Sequence, residues 1–189
     1  MKTFLPLAAP LSLLLLTACA TSPAGPYVAA TLQPTRDSSV AGTVWFVQDG
    51  PDLQVSARVS GLKPNQEHGF HVHEKGDCSS GDGMSAGGHF NPTGKPHGPI
   101  TAEHHAGDLP ALKADANGRA TFRTRIPGSF GAAAGPASFA GKAVIVHAMP
   151  DDYTTQPTGN SGARLACGVI ASVPGQDASG RAVALPADR

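Results

Sequence analysis

Short strand-like runs separated by turn sequences limit, more than any other feature, what this chain can fold into. The runs are YVAATLQ, VAGTVWFVQ, DLQVSARVSG, HGFHVHE, RATFRTRI, KAVIVH and LACGVI. In DLQVSARVS, apolar and polar residues alternate, which is typical of a strand with one buried and one solvated face. Turn sequences such as QDGPD and ADANGR favour hairpins between the runs. The sequence therefore predicts an antiparallel β-sandwich or β-barrel.

The composition agrees with a domain rich in turns and restricts the kinds of partner. The 189 residues include 23 Gly and 17 Pro, and 40% of the residues are hydrophobic, which suits one globular domain. Lys plus Arg and Asp plus Glu both total 14, so the net charge is zero. A chain without net positive charge is not expected to bind nucleic acid, and any electrostatic function has to be local.

The N-terminal segment predicts export. Met1 and Lys2 precede the apolar run FLPLAAPLSLLLL, which is short for a membrane span and typical of a signal peptide. The run ends in LTAC, which resembles the bacterial lipobox and implies cleavage before a lipidated Cys19. An ordinary signal peptide with an incidental cysteine is the alternative. We expect a protein on the periplasmic side of a bacterial cell envelope, anchored to a membrane by lipid.

The remaining chain divides into a tether, a domain and a tail. Residues 19–26 are small and rich in Pro and Gly, residues 27–170 form the expected domain, and residues 171–189 are expected to be disordered. With Cys19 lipidated, Cys78 and Cys167 remain, and an oxidising compartment favours a disulfide between them. Two separate buried thiols are the alternative. The sequence does not determine the oligomeric state, and it allows a homodimer.

Histidines are concentrated on two strands and in one long loop. His71 and His73 are two apart in a strand and share a face, and His147 ends another strand. Residues 74–107 contain eight glycines and three prolines, and so long a loop is usually functional. With the residue that follows it, the loop adds His89, His97, His104, His105 and Asp108.

This set of residues predicts metal binding. Imidazoles alone suit Cu(II), whereas three imidazoles and a carboxylate suit tetrahedral zinc. The spacing does not decide whether two such sites share a ligand.

Five motifs are similar to those of the copper/zinc superoxide dismutases, in particular the exported bacterial members. They are GFHVHE, SAGGHFNP, HHAGDLP, AVIVHA and TGNSGARLACGVI, and the resemblance covers roughly residues 27–170. It implies a Greek-key antiparallel β-barrel or sandwich of about eight strands with two long functional loops. It also implies that the chain uses copper and zinc to convert superoxide anions into oxygen and hydrogen peroxide.

The resemblance implies a role for each residue of the histidine set. Copper ligands would be His71, His73, His89 and His147. Zinc ligands would be His89, His97, His105 and Asp108. His89 would bridge the metals and exchange a proton during catalysis, and Asp151 would hydrogen-bond one histidine of each site. His68 and His104 remain without a metal role, and we expect His68 to be structural and His104 to be exposed.

Two further motif positions have implied roles outside the ligand sets. Arg164 would hold the substrate anion beside copper and, with His89, would be catalytic. Cys78 and Cys167 match the disulfide of the family. The segment DDYTTQPTGNSGAR has no lysine, although some members use a lysine and glutamates there to guide the anion. Two other functions compete with dismutation: a non-catalytic copper-binding module on the same fold, and zinc hydrolysis, which a zinc with four protein ligands disfavours.

Overall fold

The described residues form an all-β domain. The computed structural model describes residues 27–49, 52–127 and 139–172, so the expected signal peptide, tether and nearly all of the tail lie outside it. The strands are β1 (Tyr27–Pro34), β2 (Ala41–Asp49), β3 (Asp52–Ser60), β4 (Glu67–His68), β5 (Phe70–His73), β6 (Leu112–Lys113), β7 (Ala120–Ile126), β8 (Ala143–His147) and β9 (Arg164–Ser172). A short 3-10 helix covers Met84–Ala86. No helix in this part of the chain is both long and apolar enough to cross a membrane.

Seven of the strands form one antiparallel sheet. Its order is β5-β8-β9-β1-β2-β3-β7, so the first and last strands of the chain are neighbours. The sheet is curled, because the rings of Phe70 on β5 and Phe122 on β7 lie 5.5 Å apart although these strands are at opposite ends of the order. The predicted antiparallel Greek-key fold is confirmed. The two-residue pair β4 and β6 was not predicted, because two residues show no periodicity.

The core lies inside the curled sheet and follows from the alternation read in the sequence. On β3 the side chains of Leu53, Val55 and Ala57 are buried at 0–1% exposure. Full burial of a leucine or valine side chain such as Leu53 or Val55 contributes about 1.5–3 kcal/mol. On β5, Val72 is fully buried in the same core, so that His71 and His73 face the outer side of the sheet.

Two long connections lie against that outer side. Residues 74–111 join β5 to β6, and residues 148–163 join β8 to β9. The first connection folds back on β5, because Val72 N donates to the Gly107 carbonyl (2.8 Å) and Phe90 N donates to the Val72 carbonyl (2.9 Å). Gly107 has to be a glycine here, since a side chain would overlap the Val72 carbonyl. The loops are therefore held next to the strands that carry the histidines.

Candidate metal centre

Four histidines meet on the outer side of β5 and β8. This four-histidine cluster consists of His71, His73, His89 and His147. His71 and His73 are there because of strand alternation, and His147 ends β8 at an irregularity in its pairing with β9. His89 comes from the long loop, where an isolated bridge pairs it with His73. The candidate ligand atoms of the cluster lie within 4.8 Å of one another.

The nitrogen atoms of this cluster are consistent with a bound metal. Nδ1 of His71 and Nε2 of His73, His89 and His147 are buried without a hydrogen-bond partner. A buried polar atom without a partner costs free energy, and four such nitrogens directed at one point suit a metal ion as their common partner. The opposite nitrogen of His73 is 2.9 Å from the Gly87 carbonyl, so the ring is fixed with Nε2 directed at the cluster.

A second group of ligand atoms lies directly beside the first. This mixed cluster consists of His89, His97, His105 and Asp108. Oδ1 of Asp108 is 2.8 Å from Nδ1 of His89, 3.0 Å from Nδ1 of His97 and 3.3 Å from Nδ1 of His105. Tetrahedral zinc with bonds near 2.0 Å places its ligand atoms about 3.3 Å apart. The mixed cluster therefore has the size and the donor set of a tetrahedral zinc site.

His89 belongs to both clusters. Its Nδ1 is 2.8 Å from Asp108 in the mixed cluster. Its Nε2 is buried without a hydrogen-bond partner, and its ring centre lies 4.0 Å from that of His71 in the four-histidine cluster. One imidazole can therefore offer a nitrogen to each of two metals, a question that the sequence spacing left open.

Asp151 joins the two clusters from the loop after β8. One carboxylate oxygen lies 2.6 Å from Nε2 of His71, and the other lies 2.9 Å from Nε2 of His97. Asp151 is buried at 5% exposure. Burial acts to raise the pKa of this carboxyl, but its hydrogen bonds with His71 and His97 outweigh burial and hold the pKa below its usual range. An ionised Asp151 orients both rings so that their Nδ1 atoms are the ones available to metal.

Burial keeps most of the imidazoles neutral. It lowers the pKa of His71 to about 4, against an opposing hydrogen bond from Asp151. Burial also lowers the pKa of His73 and of His147 well below the usual range. Because only a neutral imidazole has a nitrogen lone pair for a metal, these three rings are ready to bind at neutral pH.

His97 behaves differently because it contacts two carboxylates. Burial opposes its protonation, but contacts with Asp108 and Asp151 prevail and raise the pKa of His97 to about 9. Burial likewise acts to raise the pKa of Asp108, and contacts with His89 and His97 overcome it and lower the pKa. A metal that binds Nδ1 of His97 has to displace the proton held there.

Arg164 brings a positive charge to the four-histidine cluster. It begins β9, and its guanidinium donates to the carbonyls of Gly83 (2.6 Å) and Gly87 (2.7 Å). The Gly87 carbonyl also contacts Nδ1 of His73. Arg164 is also paired with His147 across β8 and β9, so its positive charge lies close to both histidines. The guanidinium can therefore attract an anion to this cluster.

The predicted disulfide between Cys78 and Cys167 is confirmed. The Cα atoms of the two cysteines are 5.8 Å apart, and the bond spans 89 residues of sequence. It links the loop that carries Gly83 and Gly87 to β9, which carries Arg164. The alternative of two separate thiols was wrong.

The two histidines without a metal role lie outside both clusters. Nδ1 of His68 is 2.8 Å from the His147 carbonyl, and His68 is buried, in line with a structural residue. His104 is partly buried rather than exposed, with Nδ1 2.8 Å from the Ala102 carbonyl, because the loop folds back over its own backbone.

Sequence reasoning missed two neighbours of His97. Gln156 and Tyr153, both in the loop after β8, contact its backbone and its ring. A glutamine and a tyrosine in a turn-rich segment carry no signal of such contacts, which join positions more than 50 residues apart in sequence.

Known proteins resemble this chain in sequence and in structure. Residues 40–170 match the family described as copper/zinc superoxide dismutase. A relative from Brassica juncea, Superoxide dismutase [Cu-Zn] 2, is 47% identical over 142 residues, which is 69% of this chain and 89% of the relative.

Two crystal structures are similar to the described fold. The clock protein EA4 is 35% identical with a TM-score of 0.70, covering 83% of this chain and 100% of that chain. A double mutant of a SOD-like protein from Bacillus subtilis is 37% identical with a TM-score of 0.66, covering 76% of this chain and 97% of that one. Family match, sequence identity and the paired clusters agree, and the chain belongs to the copper/zinc superoxide dismutase family, whose enzymes use copper and zinc to dismutate superoxide.

Proposed function

We propose that this protein dismutates superoxide at the two joined clusters, with copper in the four-histidine cluster and zinc in the mixed cluster. The observation that carries the assignment is the set of four buried nitrogens without partners in the four-histidine cluster. All-nitrogen coordination suits Cu(II), and three imidazoles with a carboxylate suit zinc. His71, His73 and His147 would bind copper alone, and His97, His105 and Asp108 would bind zinc alone.

The residues around the clusters support this reaction in distinct ways. Copper, when bound, supplies the one-electron chemistry that converts two superoxide anions and two protons into oxygen and hydrogen peroxide, and zinc takes no part in electron transfer. Nε2 of His89 is the atom that we assign to take up and return a proton, because Nδ1 of the same ring remains held in the mixed cluster. His89 thus combines a structural role with proton transfer.

Arg164 would bind the anionic substrate. Its guanidinium is half-buried, and burial lowers its pKa from the ordinary value, but an arginine stays charged at neutral pH. Its two hydrogen bonds to loop carbonyls fix its position beside His73 and His147. A chain with zero net charge can therefore present a positive pocket to superoxide.

A comparison of variants tests this function. Purified protein should contain one copper and one zinc per chain and should consume superoxide, and activity should vanish on copper removal and return on re-addition. His73→Ala should lose copper and activity, while His104→Ala, outside both clusters, should keep both. A wild-type protein that binds copper but consumes no superoxide would favour a non-catalytic copper-binding module.

We also infer that the protein is an exported bacterial lipoprotein that protects the cell envelope from superoxide. The signal-like N-terminus and the LTAC sequence support this inference. The disulfide supports it independently, because disulfides persist in oxidising compartments such as the periplasm. An anion crosses a lipid bilayer poorly, so superoxide formed outside the cytoplasm has to be removed there.

A further inference from the structure

The loop after β8 holds the backbone of His97 through one glutamine side chain. Oε1 of Gln156 accepts a hydrogen bond from His97 N (2.8 Å), and Nε2 of Gln156 donates to the His97 carbonyl (2.9 Å). The primary amide thus satisfies both backbone groups of a single residue, as a neighbouring β-strand would. Gln156 is exposed at the surface, whereas His97 is buried at 3% exposure.

Tyr153 contacts the same histidine from its ring side. The two rings are parallel within 4°, with centres 6.5 Å apart. The Tyr153 hydroxyl accepts a hydrogen bond from Ala111 N (2.9 Å), close to the start of β6, which fixes the ring from its far end. His97 is therefore held at its backbone by Gln156 and along its ring by Tyr153.

These contacts matter because the segment around His97 has little regular structure of its own. Pro96 precedes His97 and Gly98 follows it, and no strand or helix includes them. The hydrogen bonds between Asn91 and Lys95 stay within the segment. Gly98 N donates to Asp108 (3.1 Å) and Nε2 of His97 lies 2.9 Å from Asp151, so these two bonds tie the segment to carboxylates of the site. The Gln156 amide is the group that holds the backbone N–H and carbonyl of His97 itself.

We propose that Gln156 is a positioning residue for the zinc site, which holds His97 in place for the metal, with Tyr153 supporting the ring. The proposal rests on the proposed zinc ligands and adds to them a residue that contacts no metal. The loop that contains Gln156 has no lysine between Asp151 and Ala163 that could guide an anion. On this proposal, the loop instead positions a zinc ligand.

Gln156 is distinguishable from Asp151 by what each one contacts. Asp151 contacts His71 as well as His97, so its loss should disturb both metals. The Gln156 side chain contacts His97 and, within its own loop, the Thr154 carbonyl. Its loss should therefore affect zinc and leave the copper ligands that are not shared in place.

The test is the rate of zinc release from Gln156→Ala, measured with a chromogenic chelator on protein loaded with both metals. Loss of a residue that orients a metal ligand typically costs about 10–100-fold in metal affinity. Because Gln156 is exposed and water can replace part of its bonding, we expect the lower end, about tenfold faster release. Gln156→Glu keeps the acceptor for His97 N but loses the donor, and should be intermediate.

Thr155→Ala is the matched control. Thr155 Oγ1 donates only within the loop, to Asp152 (2.6 Å), so the variant loosens the same loop without touching His97. Zinc release should stay at the wild-type rate. Cobalt placed in the zinc site gives a visible spectrum that reports ligand geometry, and it should change in Gln156→Ala but not in Thr155→Ala.

Three results would overturn the proposal, and each is distinguishable from the others. Equal zinc release and equal cobalt spectra for Gln156→Ala and wild type, with both metals bound, would remove Gln156 from the site and leave the ligand set intact. Equal acceleration in Gln156→Ala and Thr155→Ala would show that general loop order is responsible. If the wild-type protein binds no zinc or cobalt at this site, the proposed ligands fail, and the role of Gln156 fails with them.

Discussion

At the scale of single residues, hydrogen bonds decide which nitrogen of each histidine is available. Nε2 of His71 is hydrogen-bonded to Asp151, which leaves Nδ1 available to a metal. In His73 the arrangement is reversed, because Nδ1 is hydrogen-bonded to the Gly87 carbonyl and Nε2 is available. Residue type alone predicts a metal ligand but not the ligating atom. The groups behind the proposed ligands would thus define the coordination as much as the ligands themselves.

Arg164→Ile should slow superoxide removal, because the positive charge that attracts the anion is lost. Both metals should stay bound, because the guanidinium donates its hydrogen bonds to the Gly83 and Gly87 carbonyls and not to a proposed metal ligand. A charge pair about 4 Å apart is worth roughly 1 kcal/mol in water and about 4 kcal/mol at an effective dielectric of 20. The expected loss in kcat/KM is therefore about fivefold to about 900-fold, and it should shrink as salt rises. Turnover at low salt measures the loss, and the copper spectrum shows whether copper is still bound as in the wild type. Unchanged turnover with full copper content would remove Arg164 from substrate binding.

Gly159→Ala should destabilise the protein and weaken zinc binding. A Cβ at Gly159 would overlap Oδ1 of Asp151 and approach Nε2 of His97, and the glycine has φ of +65°. Gly94 also has φ of +65°, but nothing lies within 4 Å of a Cβ there. Gly94→Ala therefore carries the backbone strain alone, about 1–2 kcal/mol.

Thermal unfolding and zinc content of the two glycine variants separate strain from steric overlap. We expect the Gly159 variant to lose about 1–3 kcal/mol more than the Gly94 variant, since overpacking usually costs that much. Equal losses would mean that the loop moves away freely from Asp151 and His97.

At the scale of elements, the strands supply a rigid frame and the loops complete the site. β5 and β8 carry three histidines of the four-histidine cluster, and the long loop after β5 carries the fourth. The loop is tied to the frame by its backbone bonds to β5 and by the disulfide to β9. Sites on loops need such ties, because loop backbone is otherwise mobile.

Cys78→Ser should loosen this loop and lower the stability of the domain. The disulfide spans 89 residues, and closing so long a loop is worth up to about 4 kcal/mol in the chain-entropy model, usually less in practice. We expect a fall in Tm of about 5–15 °C. Faster amide hydrogen exchange over residues 74–107 would locate the effect, and a Tm equal to that of the wild type would show that the bond contributes no stability.

At the scale of the whole molecule, the proposed site of lipid attachment and the two clusters lie in different parts of the chain. The described domain contains both clusters, and Cys19 precedes it. Cys19→Ser should move the protein from the membrane fraction to the soluble fraction, because acyl chains rather than a spanning helix would be the anchor. Specific activity should be unchanged. A substituted protein that still sediments with membranes would contradict the lipoprotein proposal.

The sequence by itself determined the strands and the candidate ligands. Each of the seven strand-like runs overlaps an observed strand, because burial of one face imposes a period of two that local sequence records. His71 and His73 share a face for the same reason. The motifs around His89, His105 and Asp108 then identified the family.

Only the tertiary structure decided how these parts meet. That Gln156 holds His97 depends on contacts between segments far apart in the chain. The same is true of His89 in both clusters and of Asp151 between them, which the sequence implied only through the family motifs. Such contacts are fixed by packing of loops on the curled sheet, and local periodicity carries no information about them. In the sequence, a glutamine in a turn cannot be distinguished from any other solvated residue, because the backbone that it binds lies far away in the chain.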